Sequence, residues 1–116
     1  MVSLPDFDVY IAVGHTDMRK SVNGLSILVQ EHLKKNLFSG SMFCFCNRSR
    51  NIIKILFWDK NGFVIWYKKL DKDKFKWPDC EQDLIQTGRR ELQWLLEGLT
   101  IDQKNAFDRL EYELVI

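Results

Sequence analysis

Few residues in this sequence have the types and spacing that enzyme catalysis requires. The chain contains two histidines, His15 and His32, and it has no GxSxG, HExxH or phosphate-loop motif. Asp17 and Asp59 could join other carboxylates around a metal ion, but paired metal sites need several convergent carboxylates. Each is explained more simply, Asp17 as a helix cap and Asp59 as a turn former. We therefore predict a protein that is not an enzyme and that uses no metal or other cofactor.

The three cysteines, Cys44, Cys46 and Cys80, match neither a disulfide framework nor a common zinc site. Their number is odd, and Cys44 and Cys46 would lie on the same face of a strand rather than in a CxxC turn. A zinc site that joined them to His15 or His32 would lack the ligand spacing of the usual structural sites. We predict reduced and mostly buried thiols.

The middle of the chain interleaves cations with aromatic residues, a pattern typical of nucleic-acid-binding surfaces. Residues 41–78 contain nine Lys or Arg and three acidic residues, for a net charge of +6. Cations displace counterions from phosphates, and exposed rings can stack on unpaired bases. The candidate binding residues in this stretch are Arg48, Arg50, Lys54, Trp58, Trp66, Lys68, Lys69, Lys72, Lys74 and Lys76. The alternative is a solvated sheet face, on which lysine stems cover tryptophans packed under the helices.

Arg19 and Lys20 are two further candidates, because they fall in the first turn of a predicted helix. The helix macrodipole disfavours cations there by about 0.3 to 1 kcal/mol at a surface. Phosphate contact is one explanation, and pairing with Asp17 or with an acid of the first strand is the other. We expect both side chains to be exposed.

Length and composition predict one domain over residues 1–116. The chain is 46% hydrophobic and 13% aromatic, which is enough for a core. The net charge of +1 conceals a polarity, because residues 79–116 hold four bases and nine acids, for a net charge of −5. No stretch approaches the roughly 18 consecutive apolar residues of a membrane span, and the first fifteen residues are unlike a signal peptide. We expect a cytoplasmic protein without membrane contact.

The first elements are a strand and a helix. Residues 7–13 form a short apolar and β-branched run, typical of a strand, that ends before Gly14. Thr16 or Asp17 can then cap a helix that begins at Met18, and apolar residues recur at the helical period as far as Leu33. This helix should end near residues 34–35.

Residues 42–70 predict three consecutive antiparallel strands, because aromatic and β-branched residues dominate there and turn residues interrupt them twice. In the second turn, Asp59 to Gly62, we favour a type I turn with a glycine bulge, and a two-residue Asn-Gly turn competes. The bulge would place Trp58 opposite Val64 and Lys54 opposite Lys68.

The last third combines a loop, a helix and a terminal segment. Residues 72–78 form a basic and aromatic loop, and Thr87 can cap a helix over residues 88–97 with Gly98 at its C′ position. The leucines expected to face inward are Leu92, Leu95, Leu96 and Leu99. Residues 110–116 alternate as in a strand, although a helix over residues 103–113 fits nearly as well. The pattern predicts an α+β domain, with an antiparallel β-meander of three or more strands packed with an N-terminal helix and a C-terminal helix.

Five separated blocks of this chain carry a resemblance to a known family. They are TDMRK at 16–20 with GL at 24–25, FSG at 38–40 with Phe43 and Phe45, KILFWD at 54–59 with Gly62, KL at 69–70 with Phe75 and WP at 77–78, and LLEG at 95–98. In their order and spacing the chain resembles the small TnpB-type accessory proteins of bacterial insertion sequences of the type numbered sixty-six. These are unrelated to the RNA-guided nuclease of that name. The resemblance covers residues 3–101, and the tail of residues 102–116 is peculiar to this chain.

The resemblance implies an accessory protein of transposition, encoded beside a separate transposase that carries the nuclease chemistry. The expected partners are that transposase and DNA, with DNA bound weakly and in a salt-dependent way. The alternative is an adaptor that binds the transposase and never touches DNA. The tail supports the adaptor, because an alternating terminal strand can add to a sheet edge and its acids would favour a basic partner.

Overall fold

The chain folds into a mixed five-stranded sheet with one helix on each face. The computed structural model describes residues 8–101. In chain order the elements are β1 Val9–Ala12, α1 Val22–Ile27 with a π-helical continuation Leu28–His32, β2 Met42–Cys46, β3 Ile52–Asp59, β4 Gly62–Lys69, β5 Leu84–Thr87 and α2 Arg89–Leu96. The strands lie in the order β4-β3-β2-β1-β5. Within residues 8–101 no helix is long and apolar enough to cross a membrane.

The α+β class is confirmed, but the sheet is not purely antiparallel. β2, β3 and β4 form the predicted antiparallel meander, whereas β1 runs parallel to β2. The chain between them forms α1, because parallel neighbours need a crossover connection that is long enough to hold a helix. The first helix therefore lies between two strands rather than N-terminal to the sheet. β5 was not predicted, and it pairs antiparallel with β1 at the far edge.

The register of the β3–β4 hairpin differs from the predicted bulge. Asp59 pairs with Gly62 and Trp58 with Phe63, so the turn consists of Lys60 and Asn61 rather than of Asn-Gly. Lys60 has a φ of 54°, and the two-residue turns that favour hairpins have a positive φ at their first central residue. Because side chains alternate along a strand, Lys54 and Trp58 share one face while Trp66 and Lys68 lie on the other.

Each face of the sheet carries a buried core under its own helix. Leu25 of α1 and Val29 of its π-helical continuation pack on one face with Phe43, Phe45 and Leu56. On the other face the predicted inward leucines of α2, Leu92, Leu95 and Leu96, pack on Ile53 and Ile55. The prediction for Leu99 is wrong, since its side chain is exposed.

The cysteines of β2 belong to the core on the α2 side. Cys44 and Cys46 point to the same face, as predicted, and both are buried. Burial raises the pKa of the Cys44 thiol above its usual range and raises the pKa of Cys46 to about 11. Neither is poised as a nucleophile. Cys80 is the exposed cysteine.

The helix starts were predicted a few residues away from where they lie. α1 begins at Val22 after Ser21, so neither Thr16 nor Asp17 caps it. Arg19 and Lys20 belong to the preceding loop, and the argument from the macrodipole does not apply to them.

Gly88, not Thr87, is the N-cap of α2, because Thr87 ends β5 by pairing with Val9. The Gly88 amide donates to the Glu91 carboxylate at 3.1 Å. Gly98 has a φ of 85° after the helix, which confirms its predicted C′ position. The predicted terminal strand or helix lies outside the described residues.

Candidate nucleic-acid interface

The loops that follow the parallel strands β1 and β2 meet at one end of the sheet. The backbone amide of Thr16, in the loop of residues 13–21, donates to the carbonyl of Cys46 at 2.8 Å. The turn of residues 47–51 therefore lies directly beside that loop. The crevice outside the carboxyl ends of parallel strands is a frequent ligand site in sheets that helices cover on both faces.

The segment of residues 70–78 packs against the same end of the sheet. The amide of Leu70 donates to the carbonyl of Asn51 at 2.8 Å, and the amide of Phe75 donates to the carbonyl of Arg50 at 2.7 Å. Three segments distant in sequence thus form one surface.

We call this surface the basic end. Its cations are Arg19, Lys20, Arg48, Arg50, Lys69, Lys72, Lys74 and Lys76. They comprise eight of the twelve predicted site residues. The same segments also carry three acids, Asp17, Asp71 and Asp73, so the basic end keeps an excess of positive charge.

Six cations of the basic end project into solvent. They are Lys20, Arg48, Lys69, Lys72, Lys74 and Lys76. Within residues 8–101 none of these six cations forms an ion pair. Arg19, by contrast, is paired with Asp17. An exposed cation without a protein partner is free to replace a counterion at a phosphate.

Arg19 is held by Asp17 in the loop before α1. Its Nη2 donates to Asp17 Oδ2 at 2.6 Å and its Nε to the same oxygen at 3.0 Å, while its backbone amide donates to Oδ1 at 2.9 Å. Hydrogen bonds from the Arg19 side chain, and then from its backbone, lower the pKa of Asp17 to about 2. Both side chains are exposed, as expected for Arg19, and the carboxylate offsets its charge.

Asn47 shapes the turn that presents Arg48, a role the sequence analysis missed. Its Oδ1 accepts hydrogen bonds from the amides of Asn51 and Ile52, both at 3.0 Å. The signal was available, because asparagine at the start of a turn commonly bonds to the backbone a few residues on. Arg48, Arg19 and His15 line one cleft of about 510 Å³.

Lys54 and Lys68 point to carbonyl groups of the protein itself. Lys54 Nζ donates to the carbonyl of Met18 at 2.7 Å and to that of Lys20 at 3.1 Å. It therefore holds the backbone on both sides of Arg19. Lys68 Nζ donates to the carbonyl of Leu96 at 2.7 Å, at the end of α2 where the macrodipole favours a cation.

Replacing Lys54 with Met tests whether this lysine acts as a loop anchor. We expect a loss of about 1 to 2 kcal/mol in unfolding free energy, since hydrogen bonds from charged groups are worth about 1.5 to 3 kcal/mol and one of the two is exposed. Urea denaturation measures the loss. Lys69→Met, at an exposed position of the same basic end, is the control and should leave stability nearly unchanged. Equal stabilities of the two variants would contradict the anchoring role.

The tryptophans predicted to stack on bases lie in different environments. Trp58 contacts Phe38 and Phe63 edge-on, with ring centroids 5.0 and 4.9 Å away, at the end of the sheet opposite the basic end. Trp66 is partly exposed on the α2 face of the edge strand β4. Neither ring belongs to the basic end.

The two rings of the 70–78 segment belong to the hydrophobic core. Phe75 is 1% exposed and Trp77 is 4% exposed, so neither ring is available to stack on a base. Trp77 Nε1 donates to the carbonyl of Ala12 at 2.9 Å, and the Trp77 carbonyl accepts from Arg50 at 3.2 Å. The two rings anchor the segment, and the lysines between and before them project outward.

Metal ligands do not converge in the part of the chain that the structure describes. No group of three or more His, Cys, Asp or Glu side chains is placed there to hold a metal ion.

Comparison with known proteins gives a family and two relatives. The model of the family described as IS66 Orf2 like protein matches residues 7–106. The uncharacterised protein y4hO of Sinorhizobium fredii is 40% identical over 91 residues, which cover 78% of this chain and 79% of that protein. The uncharacterised protein y4jC of the same organism is 26% identical over 91 residues, which cover 78% of each chain. No solved structure matches.

Proposed function

The chain belongs to the IS66 Orf2-like family of insertion-sequence accessory proteins, and from this premise we propose that it assists a separate transposase by binding DNA weakly, without catalysis of its own. Membership confirms the resemblance that the sequence blocks indicated.

The observation that carries the proposal is the gathering of six exposed cations at the basic end. They come from three parts of the chain that are separate in the sequence, residues 20, 48 and 69–76, and within residues 8–101 no acid forms an ion pair with them. Contact with phosphates requires such cations, and it does not require a helix that reads base edges in a groove. A surface of this kind binds DNA mainly through counterion release, with little sequence preference.

The salt dependence of DNA binding tests the proposal. Five or six neutralised phosphates should give a slope of about −5 for the logarithm of the association constant against the logarithm of salt concentration on duplex DNA. Fluorescence anisotropy with a labelled terminal sequence of the element, titrated between 50 and 200 mM salt, measures the slope. Binding that ignores salt, or no binding at 50 mM, would defeat the proposal.

Replacing Asp17 with Asn should strengthen DNA binding. Asn keeps an oxygen that can accept from the Arg19 amide, but it removes the charge that offsets the guanidinium. We expect an affinity gain of about two- to fivefold at 50 mM salt and a slope steeper by about one unit, as one more cation becomes available. Because the pKa of Asp17 is about 2, the carboxylate is ionised throughout pH 5–8, and the gain should not vary with pH in that range.

Asp59→Asn is the matched control for this variant, since it makes the same charge change in a turn at the opposite end of the sheet. Equal gains from both variants would show an effect of net charge alone. A loss of affinity in Asp17→Asn would show instead that the pair holds Arg19 in its binding position.

A second candidate function is that of an adaptor for the transposase, and an aromatic cluster favours it. Phe38 packs on Trp58 and Phe63, yet Phe38 is 56% exposed. Exposed aromatic residues are frequent anchors of protein interfaces. Recovery of the transposase in a pull-down that survives nuclease treatment would favour the adaptor, and loss of recovery would favour DNA bridging.

A further inference from the structure

The outer edge of the sheet carries an exposed apolar strand. β4 is an edge strand of eight residues, and within residues 8–101 no strand pairs with its outer side. Val64 and Trp66 are each 37% exposed and Tyr67 is 51% exposed. A long apolar edge invites pairing with another strand, and proteins usually cover or charge such an edge.

An apolar groove runs along the same edge on the α2 face. It has a volume of about 490 Å³, and its lining includes Ile55, Phe57, Trp66, Leu92 and Leu96. α2 contains eight residues and covers the sheet only as far as β3. Trp66 therefore forms the outer wall of an open groove instead of packing beneath a helix.

We propose that residues 110–116 of this same chain bind along β4 and close the groove. In that segment Leu110, Tyr112, Leu114 and Ile116 alternate with more polar positions. An extended segment with this alternation adds to a sheet edge through backbone hydrogen bonds and lays every second side chain on one face.

The charges of the segment fit β4 in an antiparallel orientation. If Leu114 lies beside Trp66, Ile116 lies beside Val64 and Glu111 lies beside Lys69. The apolar side chains then cover the groove on the α2 face, and the glutamate meets a lysine on the other face. Opposite charges at facing positions of neighbouring strands stabilise the pair.

The connection is long enough for this arrangement. Ile101 packs on the core beneath α2 and lines a cleft with Arg50 at the basic end. β4 also ends at the basic end, where Lys69 pairs with Ile52. Nine residues separate Ile101 from Glu111, and an extended chain of that length spans about 30 Å. The edge of β4 lies two to three strand spacings away, on the order of 10 to 15 Å.

Cysteine cross-linking in the full chain tests the arrangement directly. All variants carry Cys80→Ser and Trp66→Cys. The even-numbered series adds Tyr112→Cys, Leu114→Cys or Ile116→Cys, and the odd-numbered series adds Glu111→Cys, Glu113→Cys or Val115→Cys. Opposed side chains on one face of an antiparallel pair allow a disulfide, and side chains on opposite faces do not. We expect the even-numbered series to oxidise within one chain at least tenfold faster than the odd-numbered series.

Hydrogen exchange gives a second measurement without changes in β4. Leu114→Lys should raise the exchange rate of alternate β4 amides about tenfold or more, and Asn105→Lys, the control, should leave them unchanged. Equal oxidation in both series together with unchanged exchange would overturn the proposal. Disulfides that form only between two chains would show instead that residues 110–116 bind to β4 of a second copy. Protection of the β4 amides that appears only when transposase is added would show instead that a strand of the transposase binds there. These results do not depend on whether the basic end binds DNA.

Discussion

Replacement of Trp77 with alanine is expected to destabilise the protein by about 3 to 5 kcal/mol, the usual range for a buried tryptophan. The ring is 4% exposed within the core under α2, and its Nε1 donates to the carbonyl of Ala12, 65 residues earlier. The substitution leaves a cavity, removes that hydrogen bond and frees the segment that carries Lys72, Lys74 and Lys76. The substitution should therefore lower the unfolding free energy and also disturb the position of these three lysines at the basic end.

Trp77→Phe separates packing from hydrogen bonding. It keeps most of the ring but leaves the Ala12 carbonyl without this donor, for an expected loss of about 1 to 3 kcal/mol. Urea denaturation followed by circular dichroism gives both values. A loss below about 1 kcal/mol in Trp77→Ala would mean that residues 70–78 do not belong to the cooperative core.

Hydrophobic periodicity was sufficient to place the main elements of this fold. The helical stripe that includes Leu25 and Val29 predicted α1, and three leucines predicted the inner face of α2. Alternating aromatic and β-branched residues predicted β2, β3 and β4. These elements bury one or two broad faces, so their patterns are long enough to recognise.

Register and strand order depend on information that a local pattern lacks. A hairpin turn that shifts by one residue moves each side chain to the other face, and the sequence from Asp59 to Gly62 satisfies more than one turn type. β5 has only four residues, which is too short for a clear pattern. The sequence of β1 does not indicate which strand pairs with it, because the parallel pairing with β2 depends on how α1 packs between them in the chain. These features follow from tertiary packing.

In the candidate site, too, local sequence predicted some features and tertiary packing determined the others. Lys54 and Lys68 have the same charge and neighbours as the exposed lysines, yet their carbonyl partners lie 36 and 28 residues away. Phe75 and Trp77 alternate with the cations of their segment, and the fold buries the two rings while the lysines stay exposed. A count of charges located the basic end and could not tell which of its members are engaged.

Replacing Lys72, Lys74 and Lys76 together with Gln is expected to weaken DNA binding by about two to three orders of magnitude at 50 mM salt. All three side chains are exposed on the segment that Phe75 and Trp77 anchor. If each contacts one phosphate, the salt slope should fall in magnitude by nearly three units, from about 5 to about 2. The fold should remain intact, because surface substitutions of this kind change stability by about 0.5 kcal/mol or less.

The matched control replaces Lys34, Lys60 and Arg90 with Gln, which removes the same charge from exposed positions. The β3–β4 turn and the start of α2, which carry Lys60 and Arg90, lie at the end of the sheet opposite the basic end. The DNA slope of this variant should stay near that of the parent protein. Equal losses in both variants would mean that net charge, and not the basic end, determines binding. If DNA binding is lost in the Lys72, Lys74 and Lys76 variant while recovery of the transposase and transposition are unchanged, DNA contact is dispensable and the adaptor function is the correct one.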